Sequence, residues 1–365
     1  MKITFPYMGT PLVYKKLVEM LGHEPITPNK PTQRIIEQGV KNSPEFACFP
    51  MKVIMGSYID ALERGAEVIL SSGGNGPCRA GFYGQMHEKI LNSLGYKPEF
   101  IILDSIHRDF KVFIKNFKMI TQNVSLWQLY NIFKFLYKMT NDLDELEMQL
   151  QTKRAYEVNR VECNKVWEKI QIIFNKAYTK KDLIKAKEKC QTLIDDINIR
   201  KIPENEKIRI GIVGEIYAVM ESSINMKMEE LLGSLGCEVR RAHYLSHWVE
   251  DNVVPKLLSK SKDGEISKKG QQYIEVPIGG HAQQTIGHIV DYKEKGFDGI
   301  VHLMPFACLP ELVSQSIIPK MSNEIGIPVL TIALDEQMGV ANNTTRIEAF
   351  IDIIRNSKEK KYRAS

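Results

Sequence analysis

Gly299-Ile300-Val301-His302-Leu303-Met304-Pro305-Phe306-Ala307-Cys308-Leu309-Pro310-Glu311 is the stretch that decides how this chain reads. Gly299 to Met304 is a short, nearly continuous apolar run, the pattern of a strand covered on both faces, and it passes through a loop into a helical pattern. That succession is the repeating unit of an open parallel α/β sheet. It recurs near the N-terminus, where Glu67 to Ser71 reads as a buried strand followed by Ser72-Gly73-Gly74-Asn75-Gly76-Pro77-Cys78-Arg79. Working outward, Lys2 to Tyr7 and Glu99 to Leu103 read as strands, and Thr10 to Leu21, Thr32 to Lys41, Met51 to Arg64 and Phe82 to Leu94 as helices. A second set comprises strands Ile208 to Val213, Glu238 to Ala242 and Pro328 to Leu334, with helices Ser223 to Leu235 and Arg346 to Arg355.

Between these sets the pattern changes. From Ile106 to Ile199 there is no Gly or Pro, and Lys, Glu and Leu recur with helical periodicity. The expected architecture is therefore α/β, with two Rossmann-like parallel-sheet lobes and a helical middle domain. Its bounds are residues 1–105, 106–205 and 206–365.

Composition limits the function classes. The chain has 365 residues, 43% hydrophobic and 25% charged, as expected for a folded protein with a sizeable core and not for a disordered one. A net charge of +5 comes from Lys-rich helical segments and the tail Lys358-Glu359-Lys360-Lys361, which read as solvated faces, so nucleic acid is not expected as a partner. No uninterrupted apolar run is long enough to span a membrane, and Met1-Lys2-Ile3-Thr4-Phe5-Pro6 lacks the features of a signal peptide. A cytoplasmic location is expected, where six scattered cysteines serve as thiols or metal ligands rather than disulfides.

Three cysteines share one setting. Cys48, Cys78 and Cys308 each stand at the end of a loop, with a Pro within two residues, just before a helical pattern. Cys78 and Cys308 follow strands, at the carboxyl edge where open α/β sheets place ligand crevices. Thiols often merely fill core space, but the shared setting favours a three-thiolate metal site, because helix starts stabilise negative charge. Cys163, Cys190 and Cys237 lack that setting and read as structural. There is no CxxC and no close-spaced histidine pair with these cysteines, which argues against a structural zinc site. A three-cysteine 4Fe-4S site would leave one iron open to an exogenous ligand.

Around it, Glu215, Tyr217, His281, His302, Glu311, Asp335 and Glu336 fall at strand ends or cleft loops, with His281, Glu311 and Glu215 the candidates for a catalytic role. Arg79 could offset negative charge at the site. Ser72-Gly73-Gly74-Asn75-Gly76 and Ile278-Gly279-Gly280-His281 could cradle an anion, but no P-loop is present, and Gly211-Ile212-Val213-Gly214 lacks the full dinucleotide fingerprint.

The same residues carry a family resemblance. Ala47-Cys48-Phe49-Pro50-Met51-Lys52, Gly74-Asn75-Gly76-Pro77-Cys78-Arg79-Ala80-Gly81, Gly279-Gly280-His281, His302 to Glu311 and Thr345-Arg346-Ile347-Glu348-Ala349-Phe350 resemble the 2-hydroxyacyl-CoA dehydratase and benzoyl-CoA reductase superfamily. Within it the chain is similar to the branch labelled CoA-protein-activase-like, related to double-cubane cluster proteins. The resemblance implies two Rossmann-like lobes and a helical domain, an oxygen-sensitive cluster held by Cys48, Cys78 and Cys308, and a homodimer or a heterodimer with a related subunit. It also implies an ATP-hydrolysing iron-sulfur activator that delivers low-potential electrons. In the dehydratases the reduced cluster passes one electron to an acyl-CoA thioester, giving a ketyl radical that expels hydroxide. An 8Fe-9S double cubane would need a second ligand set that Cys163, Cys190 and Cys237 do not resemble, so one 4Fe-4S cluster per chain is expected. The implied function is an activator-driven reductase or dehydratase-like enzyme acting on a small-molecule substrate. The alternatives are a non-catalytic electron-transfer or cluster-delivery protein, a double-cubane reductase, and a metal-free ligand-binding module.

Overall fold

The computed structural model describes residues 1–71, 78–103, 110–121, 124–254, 263–337 and 339–364. Its first lobe opens with β1 (Lys2–Thr4), α1 (Pro11–Met20), β2 (Glu24–Pro25), α2 (Gln33–Lys41) and α3 (Phe49–Glu63). β3 (Val68–Ser71), α4 (Tyr83–Ser93) and β4 (Glu99–Ile102) complete it. All pairings are parallel and the strand order is β2-β1-β3-β4. Successive side chains of a strand alternate between faces. Val68 and Leu70 accordingly join a core with α1, whereas Ile69 packs with Met51, Met55 and Ile59 of α3.

The middle of the chain forms α5 (Phe110–Ile120), α6 (Leu126–Lys153), α7 (Glu162–Asn175) and α8 (Lys180–Asp195). Capping boxes start two of these helices, Ser125 with Gln128 on α6 and Thr179 with Asp182 on α8, each satisfying backbone donors that a helix start leaves unpaired. Phe135, Met139 and Leu143 of α6 share one core with Ile3 of the first sheet, with Phe5 just past β1, and with Ile170 and Phe174 of α7. The helices therefore cover one face of that sheet.

The second lobe contains β5 (Ile208–Gly214), α9 (Ile216–Met220), α10 (Met228–Ser234), β6 (Cys237–Arg241), α11 (Leu245–Asn252), α12 (Asp263–Gln271), α13 (Ala282–Glu294), β7 (Gly299–Pro305), α14 (Leu309–Ile325), β8 (Val329–Leu334) and α15 (Val340–Ala364). Its order, β6-β5-β7-β8, repeats that of the first sheet, again all parallel. The two-lobe α/β expectation is met. The helix expected over Ser223 to Leu235 is shorter, because Met226 and Lys227 adopt left-handed backbone with φ of 58° and 52°. Asn225 stabilises that break by donating to the Ala218 carbonyl and accepting from the Met228 N–H. Among the described residues, no helix is long and apolar enough to cross a membrane.

In each sheet the strand order reverses direction between β1 and β3, or between β5 and β7, and such switch points open a crevice at the carboxyl ends. The lobes meet along α3. Ile36 of α2 and Phe49 and Val53 of α3 sit in one core with Ile212, Leu303 and Ile332 of the second sheet. Cys308 lies in the core of the first lobe, beside Cys48, Met51 and Tyr58.

Candidate functional site

Each of the three cysteines stands at the residue before a helical segment. Cys48 precedes α3, Cys308 precedes α14, and Cys78 precedes a 3-10 turn at Arg79–Phe82 that leads into α4. Prolines in the first turn of α3 and α14 need no backbone partner there and preset the helical φ, which is why the chain turns helical directly after the cysteine. Ahead of Cys308, Ala307 holds a left-handed φ of 60°, a strained conformation for a residue with a Cβ.

Three separate loops are stitched together at this point. The Arg79 guanidinium donates to the Phe46 carbonyl at 2.9 Å and also to the Ala307 carbonyl, so the residue after Cys78 binds the loops that precede Cys48 and Cys308. The Phe49 N–H donates to the Phe306 carbonyl across the lobes at 3.4 Å. Gly280 closes the fourth side. With φ of 58°, its position admits no side chain: an added Cβ would lie 2.7 Å from Pro310 Cγ and 3.7 Å from Cys78 Sγ. The Gly279-Gly280-His281 segment thus packs its backbone against Cys78 and the start of α14. Ser72-Gly73-Gly74-Asn75-Gly76, the other glycine-rich loop, lies outside the described residues.

The thiols are close enough to influence one another. Cys48 and Cys308 are buried, and Cys78 is half-buried. Burial pushes the Cys48 thiol up to about 11, and Glu215 and Cys78 add to the rise. Cys308 is pushed up further by burial, with Glu215, Glu311 and Cys48 contributing, and Cys78 rises chiefly through burial. The first-turn N–H groups of Met51, Ala80 and Glu311 oppose these shifts, as expected at helix starts, but desolvation outweighs them. Burial thus works against a free thiolate at each of the three positions. A cation at their centre would change that balance, because coordination deprotonates a thiol outright.

Two candidate carboxylates join them. Glu215 follows β5 and accepts the Ala218 N–H at 3.0 Å, capping α9, and burial with the charge of Glu311 raises its carboxyl to about 7. Glu311, fully buried in the first turn of α14, accepts from Thr285 Oγ1 at 3.1 Å and pairs with His302 Nε2 at 2.9 Å. His302 Nδ1 in turn meets Thr331 Oγ1 at 3.1 Å.

His281 is the residue before α13, its ring centroid 4.8 Å from that of His243, and burial lowers its pKa against the pull of Glu311. Asp335 and Glu336 serve other contacts: Asp335 accepts the Gln337 N–H, and Glu336 pairs with the buried Lys52 at 3.4 Å. Cys163, Cys190 and Cys237 are fully buried in hydrophobic cores.

Tyr83 is a neighbour the sequence did not single out. Its hydroxyl meets the Cys48 sulfur, and its ring lies 5.9 Å from that of His87, whose Nε2 reaches the Met51 carbonyl at 3.1 Å. Nothing but the helical position of Tyr83 one turn past Cys78 could have pointed to it. Among the described residues, no three His, Cys, Asp or Glu side chains converge closely enough to hold a single metal ion. Three thiols from three loops form a soft donor set of the kind that thiophilic metals take.

A family model described as 2-hydroxyglutaryl-CoA dehydratase, D-component, matches residues 15–354. No curated protein matches the chain.

Proposed function

Since the chain belongs to the family of the 2-hydroxyglutaryl-CoA dehydratase D-component, we propose that Cys48, Cys78 and Cys308 hold one 4Fe-4S cluster with an open iron, and that an ATP-hydrolysing iron-sulfur activator reduces it. The observation that carries this reading is the meeting of three cysteine-bearing loops from both lobes, tied by Arg79. When bound, such a centre supplies single electrons at low potential for reduction or dehydratase-type radical chemistry on a small-molecule substrate.

The residues around it have distinct tasks. Arg79 fixes the spacing of the loops and places a cation beside an anionic centre. Tyr83 hydrogen-bonds the Cys48 sulfur and orients it. Glu215, with its carboxyl near 7, can hold or release a proton at neutral pH beside all three thiols. Glu311 is held in one orientation by Thr285 and His302. Activity would occur in the cytoplasm, with a second copy of the chain or a related subunit alongside.

Anaerobic purification tests the reading directly. The wild-type protein is expected to contain iron and sulfide in the ratio of a 4Fe-4S cluster, with visible absorption that Cys78→Ser abolishes while far-UV circular dichroism stays unchanged. Full iron and sulfide content in that variant would refute the ligand assignment.

A further inference from the structure

Between the helical middle and the second lobe lies a cavity of about 320 Å³ whose wall carries three arginines, Arg154, Arg160 and Arg200. Arg154 follows α6, Arg160 stands in the turn before α7, and Gly233 and Ser234 at the end of α10 form the facing wall. β6 begins directly afterwards, at Cys237, so the cavity stands at the amino ends of the second sheet, the edge opposite the one that leads to Cys308. Its volume is that of a site for a small ligand.

Local structure fixes the backbone that carries these arginines. The Val158 N–H donates to the Asn198 carbonyl at 3.0 Å and the Arg200 N–H to the Tyr156 carbonyl at 2.8 Å, so Arg200 is pinned beside the turn that bears Arg160. The Glu157 carboxylate holds that turn by accepting the N–H groups of Val161 at 3.0 Å and Cys163 at 2.8 Å. Arg154 is packed into the wall with its side chain 11% exposed, and a Cβ at Gly233 would lie 2.7 Å from its Cγ and Cδ. The glycine leaves the room that the arginine stem occupies.

The two carboxylates of the wall are engaged, whereas the arginines are not. Glu157 is taken up by the start of α7, and Glu230 accepts from Asn164 Nδ2 at 2.7 Å and pairs with Lys227 at 3.7 Å. Arg154 donates from Nη2 to Asn164 Oδ1 at 3.0 Å and approaches Glu229 only to 3.9 Å, and its buried Nε and Nη1 have no hydrogen-bond partner. Buried donors without partners are uncommon and call for an explanation. Arg160 and Arg200 are exposed and form no ion pair with a described residue. Guanidinium groups with positive charge to spare beside an open cavity favour oxyanions, whose paired oxygens match the guanidinium fork. We propose that this cavity binds a small, multiply charged oxyanion, a phosphorylated or dicarboxylate metabolite, at a site separate from the three cysteines. Bound there, the anion ties α6 and α7 to α10.

Calorimetric titration of the anaerobically purified full chain with inorganic phosphate and with succinate, at constant ionic strength, reads the site. Saturation at one site per chain is expected with at least one of them, and the anion that binds tells phosphoryl from carboxylate recognition. Arg160→Ser and Arg200→Ser, combined in one chain, change only exposed side chains and are expected to weaken that binding about tenfold while far-UV circular dichroism stays unchanged. Arg34→Ser with Lys89→Ser removes the same charge from exposed positions of the first lobe and is expected to leave binding as it is. Absence of saturable binding of both anions by the wild type overturns the inference, as does equal affinity in the Arg160 and Arg200 variant or equal weakening in both double variants. None of these readings depends on the iron content, so the inference stands or falls apart from the cysteine centre.

Discussion

His87 shows how a single buried side chain makes this site sensitive to acid. It is 1% exposed, its ring meets Tyr58 edge-on at 5.3 Å, and burial pushes its pKa down to about 4 against the opposing Met51 carbonyl. An unfolded imidazole titrates near 6.5, so between pH 6.5 and 4 the unfolded chain binds the extra proton and stability falls as pH falls. His288, also lowered to about 4 by burial, acts in the same direction. Replacing His87 with Phe keeps a ring in place but removes the titration. The loss of unfolding free energy between pH 7 and pH 4.5, measured by urea denaturation, is expected to shrink by about 2 kcal/mol in His87→Phe. An unchanged loss would mean that His87 is solvated in the folded protein. The three cysteines illustrate the opposite side of residue-scale physics. A helix start was expected to favour the thiolate, and the N–H groups there do so, yet desolvation decides the outcome because it acts on the whole sulfur.

At the scale of elements, the crossing of α2 and α3 sets where Cys48 can stand. The two helices approach so closely that a Cβ at Gly56 would lie 1.9 Å from the Ile35 carbonyl, and one at Gly39 would lie 1.9 Å from the Lys52 carbonyl. Backbone atoms cannot yield as a flexible side chain can. Gly56→Ala is therefore expected to destabilise the protein by about 3 kcal/mol, read from the urea midpoint, through forced separation of the helices. A neutral effect would mean that the crossing is wider than described. This contact was hidden in the sequence, where Met51 to Arg64 reads only as a helix. Helix and strand existence was legible because apolar periodicity is local. The break at Met226 and Lys227 was not, since it depends on Asn225 bonding backbone groups that only the fold brings near.

On the scale of the whole molecule, the lobes are joined by a shared core rather than by a linker alone. Val53 is fully buried among residues of the second sheet although it belongs to the first lobe, and Lys52 beside it pairs with Glu336. The helices α6 to α8 likewise have no core of their own apart from the first sheet and α1. Such continuity couples unfolding across the chain. Val53→Ala is expected to cost about 2 kcal/mol and to shift one transition seen alike by circular dichroism and tryptophan fluorescence. Two separate transitions, only one of them shifted, would show that the lobes unfold independently.

From residue order alone, this protein was determined to be α/β with two sets of alternating elements around a helical middle, and Cys48, Cys78 and Cys308 were marked by their common place before a helix. Those features depend on neighbours within a few positions, where periodicity and proline chemistry act. That Arg79 ties the other two cysteine loops, that Tyr83 touches Cys48, and that His281 meets His243 were decided only by the tertiary structure. Each of these is a contact between residues far apart in the chain. Their distances are set by how two switch points face each other across α3, and no local pattern encodes that geometry.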